Sequence, residues 1–197
     1  MTAHPKPPRR RDAAATRAAI LASAREAFAQ QGYDGAGVRE IAAGAGVSAM
    51  MVNRYFGSKR GLFGEVLGDT MNDPVILSDA NMKAEDMARA FAAALVGITA
   101  HDARRLDGFR IMFRSISSNE AAEIAREQIR KHHHTTLTGI LSGEHAAERA
   151  AILLSVVAGV QAMRQMIGLS SLADADPDLL VDLLTPVLKT LITPPSA

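Results

Sequence analysis

The stretch "VREIAAGAGVSAMMVNRYF", Val38 to Phe56, constrains the fold more than any other part of this chain. Val38, Ile41 and Ala42 stand at the one-face spacing of a helix, and Val47, Val52 and Phe56 mark a second short apolar run. Between them "GAG", Gly44 to Gly46, makes a tight turn, and Ser48 can cap the helix that follows. Short helices of this kind need neighbours to pack on, and the flanking sequence supplies two. Upstream, Asp12 can cap a helix with Ile20, Leu21, Ala24, Ala27 and Phe28 on one face, ended by Gly32 in "QQGYDGAG". Downstream, "FGSK" breaks the second short helix, and Ser58 can cap the next, which buries Leu62, Phe63, Val66 and Leu67 before "NDP" closes the block.

The rest of the chain reads as helix with loops of modest length. The spacing predicts helices at Lys83–Ala100, Arg104–Ser117, Glu120–Leu141, Glu144–Ile167 and Pro177–Ile192. The last has the clearest start, with Asp176 as cap and Pro177 at the first helical position, and Pro186 inside it should produce a kink. No strand alternation of useful length and no internal repeat occurs. The fold class is therefore all-α. The expected division is a basic flexible arm over residues 1–15, a helix-turn-helix domain over 16–69 and a second helical domain over 70–197.

A net charge of +1 conceals an asymmetry. Up to Arg60 there are ten cations against four anions, a surplus of +6, while the remainder carries 12 cations and 17 anions, or −5. A basic head on an acidic body points to a polyanionic partner for the head alone. The chain has no cysteine, so disulfides, thiolate metal sites and cysteine nucleophiles are excluded. Met1 to Asp12 is rich in proline and arginine and is followed by no apolar run, unlike a signal peptide, and a cytoplasmic location is expected. The longest apolar stretch, Ala150 to Val160, falls short of the ~20 residues that span a bilayer and reads as a buried helix, with no membrane partner expected.

Two short helices joined by a glycine turn form a helix-turn-helix, whose second helix lies in the major groove of DNA. Val47, Val52 and Phe56 would hold that helix to its bundle and leave its other face to Asn53, whose amide can meet an adenine or a phosphate, and to Met50 and Met51, either for a thymine methyl or with one of them packed inward. Arg54, Tyr55, Ser58 and Lys59 can reach phosphates at the margin, and the helix beginning at Ser58 can point its amino end at one. Arg9, Arg10 and Arg11 form a mobile cationic arm able to enter a neighbouring minor groove. Arg39, Ser48 and Ala49 complete the candidate DNA contacts.

At these residues the chain resembles the tetracycline-repressor (TetR) family of transcriptional regulators. The resemblance runs from Thr16 to Leu67 and rests on Gly32-Tyr33, Val38-Arg39, Ile41-Ala42, Ala45-Gly46-Val47-Ser48, Tyr55-Phe56 and Ser58-Lys59. It implies a fold of about nine helices, with an N-terminal three-helix DNA-binding domain and a C-terminal domain for ligand and dimerisation. The chain departs from the family in having Met50, Met51, Val52 and Asn53 where Gly-Thr-Leu-Tyr is frequent, so a phosphate-holding tyrosine is replaced by Asn53. Ala36 and Gly37 stand where a capping serine or threonine is frequent.

Methionine and phenylalanine gather in the middle helices, where core packing accounts for most of them. Phe91, Leu95, Phe109, Met112, Phe113 and Met163, with Gln128, His132, Gln161 and Arg164, would also suit an adaptable apolar pocket with a few polar groups. The partner implied there is a small hydrophobic effector. "AAILLSVVAGV" and "LLVDLLTPVLKTLI" are apolar on more faces than one subunit need bury, which places Leu153, Val157, Val160, Leu180, Leu183, Leu184 and Val187 at a homodimer interface. The triple histidine His132–His134 cannot converge on one ion from an α-helix, where neighbours are ~100° apart, and no metal or other cofactor is expected. Catalysis finds no support in any Ser-His-acid spacing or phosphate-binding glycine loop. The function these features imply is an effector-released homodimeric repressor of transcription. A DNA-binding protein without an effector, and a ligand-sequestering or adaptor dimer that no longer binds DNA, are the alternatives.

Overall fold

The computed structural model describes residues 10–100 and 107–193, and every element found among them is helical. In chain order these are α1 (Arg10–Gly35), α2 (Val38–Gly44), α3 (Ala49–Phe56), α4 (Lys59–Met71), α5 (Asp79–Met82), α6 (Met87–Ala100), α7 (Asp107–Ser115), α8 (Asn119–Ile129), α9 (Thr135–Ile140), α10 (Ala146–Gln161), α11 (Ser170–Ala173) and α12 (Pro177–Ile192). A π-helical turn, Arg130–His134, joins α8 to α9, and a second, Ala162–Ile167, extends α10. The chain divides into two compact units.

The first unit holds α1 to α4 together with Ile111–Ala125, a segment that the sequence reading placed in the second domain. Its core is Ile20, Ala24, Phe28, Ile41, Val52, Leu62, Phe63 and Leu67, and Ile111, Ala121 and Ile124 join them. Phe28, Tyr33 and Phe63 form an aromatic cluster, with Phe63 edge-on to Phe28 at 4.9 Å and to Tyr33 at 4.8 Å between centroids. Full burial of each phenylalanine contributes ~1.5–3 kcal/mol from apolar surface alone. The bend in α1 lies at Gly32, whose φ of 69° and ψ of −176° only glycine adopts readily. A β-carbon there would stand 2.8 Å from the carbonyl oxygen of Arg114, so Gly32 also permits the close approach of α7. Helix α1 begins at Arg10, ahead of the expected Asp12 start; no proline lies between Pro8 and Gly35, and arginine and alanine are good helix formers.

In the second unit α12 packs most extensively on α6, and also on α10. Phe91, Ala92, Val96, Leu137, Leu153 and Leu188 make the core. Asp176 caps α12 as expected, its carboxylate accepting from the backbone N–H groups of Asp178 at 2.8 Å and Leu179 at 3.1 Å. The helix runs on through Pro186 without interruption. Arg149 is buried and donates to the carbonyls of Glu144, Leu191, Ile192 and Ser142, binding the end of α12 to the turn before α10. The helical run Ala146–Ile167 is long and apolar enough by composition to cross a membrane, longer than the apolar core stretch alone indicated. Two buried arginines, Arg149 and Arg164, lie within it.

Candidate nucleic-acid interface

The inward and outward faces of α3 are clearly divided. Val52 and Phe56 are buried, and Val47, Ala49 and Tyr55 pack beside them in the first unit's core. Met50, Asn53 and Arg54 are exposed, and Met50 keeps 76% of its surface accessible. These outward positions follow i, i+3 and i+4 spacing, so they share one face over ~6 Å of helix length, a patch that a major groove ~12 Å wide accepts. Ser48 occupies the N-cap position of α3 with extended backbone, but its hydroxyl makes no capping bond, contrary to the expected cap. The exposed Ser48 hydroxyl at the amino end of α3 is therefore not engaged in capping, and a helix amino end is where a phosphate is favoured. Arg39 is exposed in the first turn of α2.

The amino end of α4 is built differently. Ser58 does cap it, accepting from the backbone N–H of Gly61 at 3.1 Å. Lys59 and Arg60 then occupy its first turn, the helix end where a cation is unfavourable by ~0.3–1 kcal/mol each. The fold offsets this charge locally. The Lys59 ammonium lies 4.7 Å from the Tyr33 ring centroid and donates to the Asp34 carbonyl at 3.4 Å. Arg60 faces Glu123 at 3.4 Å and Glu120 at 3.8 Å, both exposed pairs of the kind worth about 0–1 kcal/mol. Cations kept at an unfavourable helix end are what an anionic partner would exploit.

Tyr33, one of the residues that carry the family resemblance, was not among the candidate DNA contacts. It is buried, its backbone N–H donates to the Ser115 hydroxyl at 2.9 Å, and its own hydroxyl donates to a Glu120 carboxylate oxygen at 2.7 Å. Burial first, and then the bond to Glu120, push its pKa well above the ordinary tyrosine value. Its only sequence signal was its place after Gly32. Arg9 and the side chains of Arg10 and Arg11 lie outside the described residues.

The candidate effector residues are divided between the two units. Phe91 and Leu95 are fully buried in the second unit, Gln161 is buried there too, and Phe109, Gln128 and His132 are half-buried. Met112 packs instead against the first unit's core, and Phe113 on α7 and Met163 are a little under half exposed. Arg164 has a local role. Its guanidinium donates to the Val96 carbonyl at 2.8 Å, the Thr99 hydroxyl at 2.6 Å and the Leu172 carbonyl at 3.1 Å, closing the carboxyl end of α6. The histidine run lies on a π turn and not on the expected α-helix. His134 Nε2 bonds the Ala147 carbonyl at 3.0 Å, whereas His132 Nε2 and His133 Nδ1 are buried without a protein partner. Burial lowers both of these pKa values, with Lys131 adding to the effect on His132 and His132 to that on His133.

Of the candidate interface residues, Leu153 and Leu180 belong to the second unit's own core. Val157, Val160 and Leu184 are half-buried, and Leu183 and Val187 are exposed on α12.

Comparison with known proteins places these features. Residues 20–66 match the family described as bacterial regulatory proteins, tetR family, and residues 85–192 match the tetracyclin repressor-like C-terminal domain. No curated protein matches the sequence. Solved structures share the fold: a TetR-family regulator of Streptomyces coelicolor A3 is 23% identical, with 91% of this chain and 96% of that one covered and a TM-score of 0.61. A transcriptional regulator of the TetR family from Rhodococcus sp. is 18% identical over 91% of this chain and 100% of that one, with a TM-score of 0.65. The regulator FadR of Bacillus subtilis, solved in complex with stearoyl-CoA, is 20% identical over 90% of this chain and 98% of that one, with a TM-score of 0.63. With a family match spanning more than half of its residues beside the helix-turn-helix, this chain belongs to the tetracycline-repressor family of transcriptional regulators.

Proposed function

We propose that this protein is a cytoplasmic, homodimeric repressor that binds operator DNA through α3 and is released by a small hydrophobic effector held in its second unit. The observation that carries the DNA-binding part is the exposed face of Met50, Asn53 and Arg54 on a helix whose opposite face is locked in the core, beside cations at the head of α4. Ser48, Ala49, Tyr55, Ser58, Lys59 and Arg39 would supply backbone contacts around it. Support for the dimer is the row Leu179, Leu183 and Val187, large apolar side chains left exposed at every fourth position of α12. Support for an effector is the fold shared with FadR, which was solved with an acyl-CoA bound, and the partnerless polar atoms buried on the π turns of the second unit. Footprinting of the full-length protein on the DNA upstream of its own gene, at two salt concentrations, tests the reading. A protected two-fold site that weakens with salt is expected. Uniform protection without a site would overturn the repressor reading.

A further inference from the structure

The head of α4 and the end of α1 are joined by a chain of contacts whose anchor is the α7–α8 turn. The Tyr33 ring lies under the Lys59 ammonium, and the Asp34 carbonyl accepts from it. Neither group is free to move. Tyr33 is fixed by Ser115 through its backbone, by Glu120 through its hydroxyl and by Phe63 through its ring. The Asp34 carboxylate accepts from the Ser118 hydroxyl at 3.0 Å, and Arg114 donates to the Gln30 carbonyl at 2.8 Å. Residues 30–34 are thus held by residues 114–120 at four points, all within the first unit.

We propose that Tyr33 is a positioning residue for DNA binding: its ring sets the Lys59 ammonium for a phosphate, and the α7–α8 turn sets the ring. An ammonium has three N–H donors. One is taken by the Asp34 carbonyl and the ring face attracts the charge, which leaves a donor for a phosphate oxygen. A lysine already immobilised in this way loses less rotamer freedom on binding than a free one. The turn thereby governs a DNA contact that it does not itself make, and any displacement of Ser115, Ser118 or Glu120 reaches Lys59 through two residues. The inference rests on the DNA-binding reading above.

The test is the salt dependence of full-length protein binding to one fixed duplex. Lys59→Gln is expected to lower the logarithmic slope by about 0.9, one phosphate contact. Tyr33→Leu is expected to lower it equally, and the double variant no further. Tyr33→Phe loses only the Glu120 bond and keeps the ring with its Ser115 and Phe63 contacts, so it should keep more of the slope than Tyr33→Leu. Ser115→Ala with Ser118→Ala should weaken binding when Lys59 is present and leave it unchanged in the Lys59→Gln background. Full additivity in either double-variant comparison would overturn the proposal. Should Tyr33→Leu fail to fold, the wild-type protein still decides, because the ε-methylene protons of Lys59 should resonate upfield from the Tyr33 ring current. An ordinary Lys59 shift would overturn the proposal. If wild type bound no duplex at all while that shift was present, the DNA-binding reading would be the one to fail.

Discussion

Asn53 and Gly32 show how differently single residues act in this head. Asn53 is exposed on the outward face of α3, and its amide can pair with adenine in a way no phosphate contact imitates. Asn53→Ala should therefore change the preference among operator variants by ~1–3 kcal/mol at one base position while leaving non-specific affinity alone. Competition binding with single-base operator variants measures this, and uniform weakening across them would assign Asn53 to the backbone. Gly32 contributes nothing by contact and everything by conformation. An alanine would have to adopt backbone angles costing ~1–3 kcal/mol and would meet the Arg114 carbonyl as well. Gly32→Ala is expected to destabilise the head by at least that amount in thermal unfolding, and a variant as stable as wild type would show that the bend in α1 is dispensable.

At the scale of elements, what was legible in the sequence was local. Asp176 and Pro177 announced α12, Ser58 announced α4, and "GAG" divided α2 from α3, because caps and turns are decided by residues within a few positions of each other. The outward face of α3 was legible for the same reason. Long-range packing was not: Tyr33 meets Ser115 and Glu120 more than eighty positions away, so no window of sequence displays the contact. The π turns were also hidden, since no residue type marks where a helix takes in one extra residue. The turn at Arg130–His134 has a consequence that can be measured. Folded His132 and His133 bind protons more weakly than in the unfolded chain, so acid favours unfolding. Stability should fall as pH drops below the ordinary imidazole value of 6.5, until the depressed folded values are passed. Denaturant unfolding between about pH 7.5 and 5.5 should show a shallower pH dependence for His132→Asn/His133→Asn than for wild type. Equal slopes would mean that neither imidazole is held neutral by the fold.

For the whole molecule the question is what covers α12. Leu183 is 60% exposed in the single chain and lies midway along the row formed with Leu179 and Val187. In a subunit that stays alone, Leu183→Asp would replace an exposed apolar group by a hydrated carboxylate, a change expected to lie within about 0.5 kcal/mol. In a two-fold dimer the same substitution acts twice, because an isologous interface places both copies of residue 183 in it. Each copy then forfeits ~1.5–3 kcal/mol of apolar burial and buries a carboxylate without a partner, costing several kcal/mol more. Leu153→Asp provides the contrast, since Leu153 is fully buried in the second unit's own core and its replacement should unfold that unit whatever the assembly. Sedimentation of Leu183→Asp should therefore show a folded monomer, with wild type a dimer and Leu153→Asp unfolded. Operator affinity should fall with dimerisation, because two α3 helices joined in one particle gain an effective concentration that two separate subunits lack. A Leu183→Asp protein that remained fully dimeric would move the interface off this face of α12, and one that was monomeric yet bound operator as tightly as wild type would show that a single head suffices.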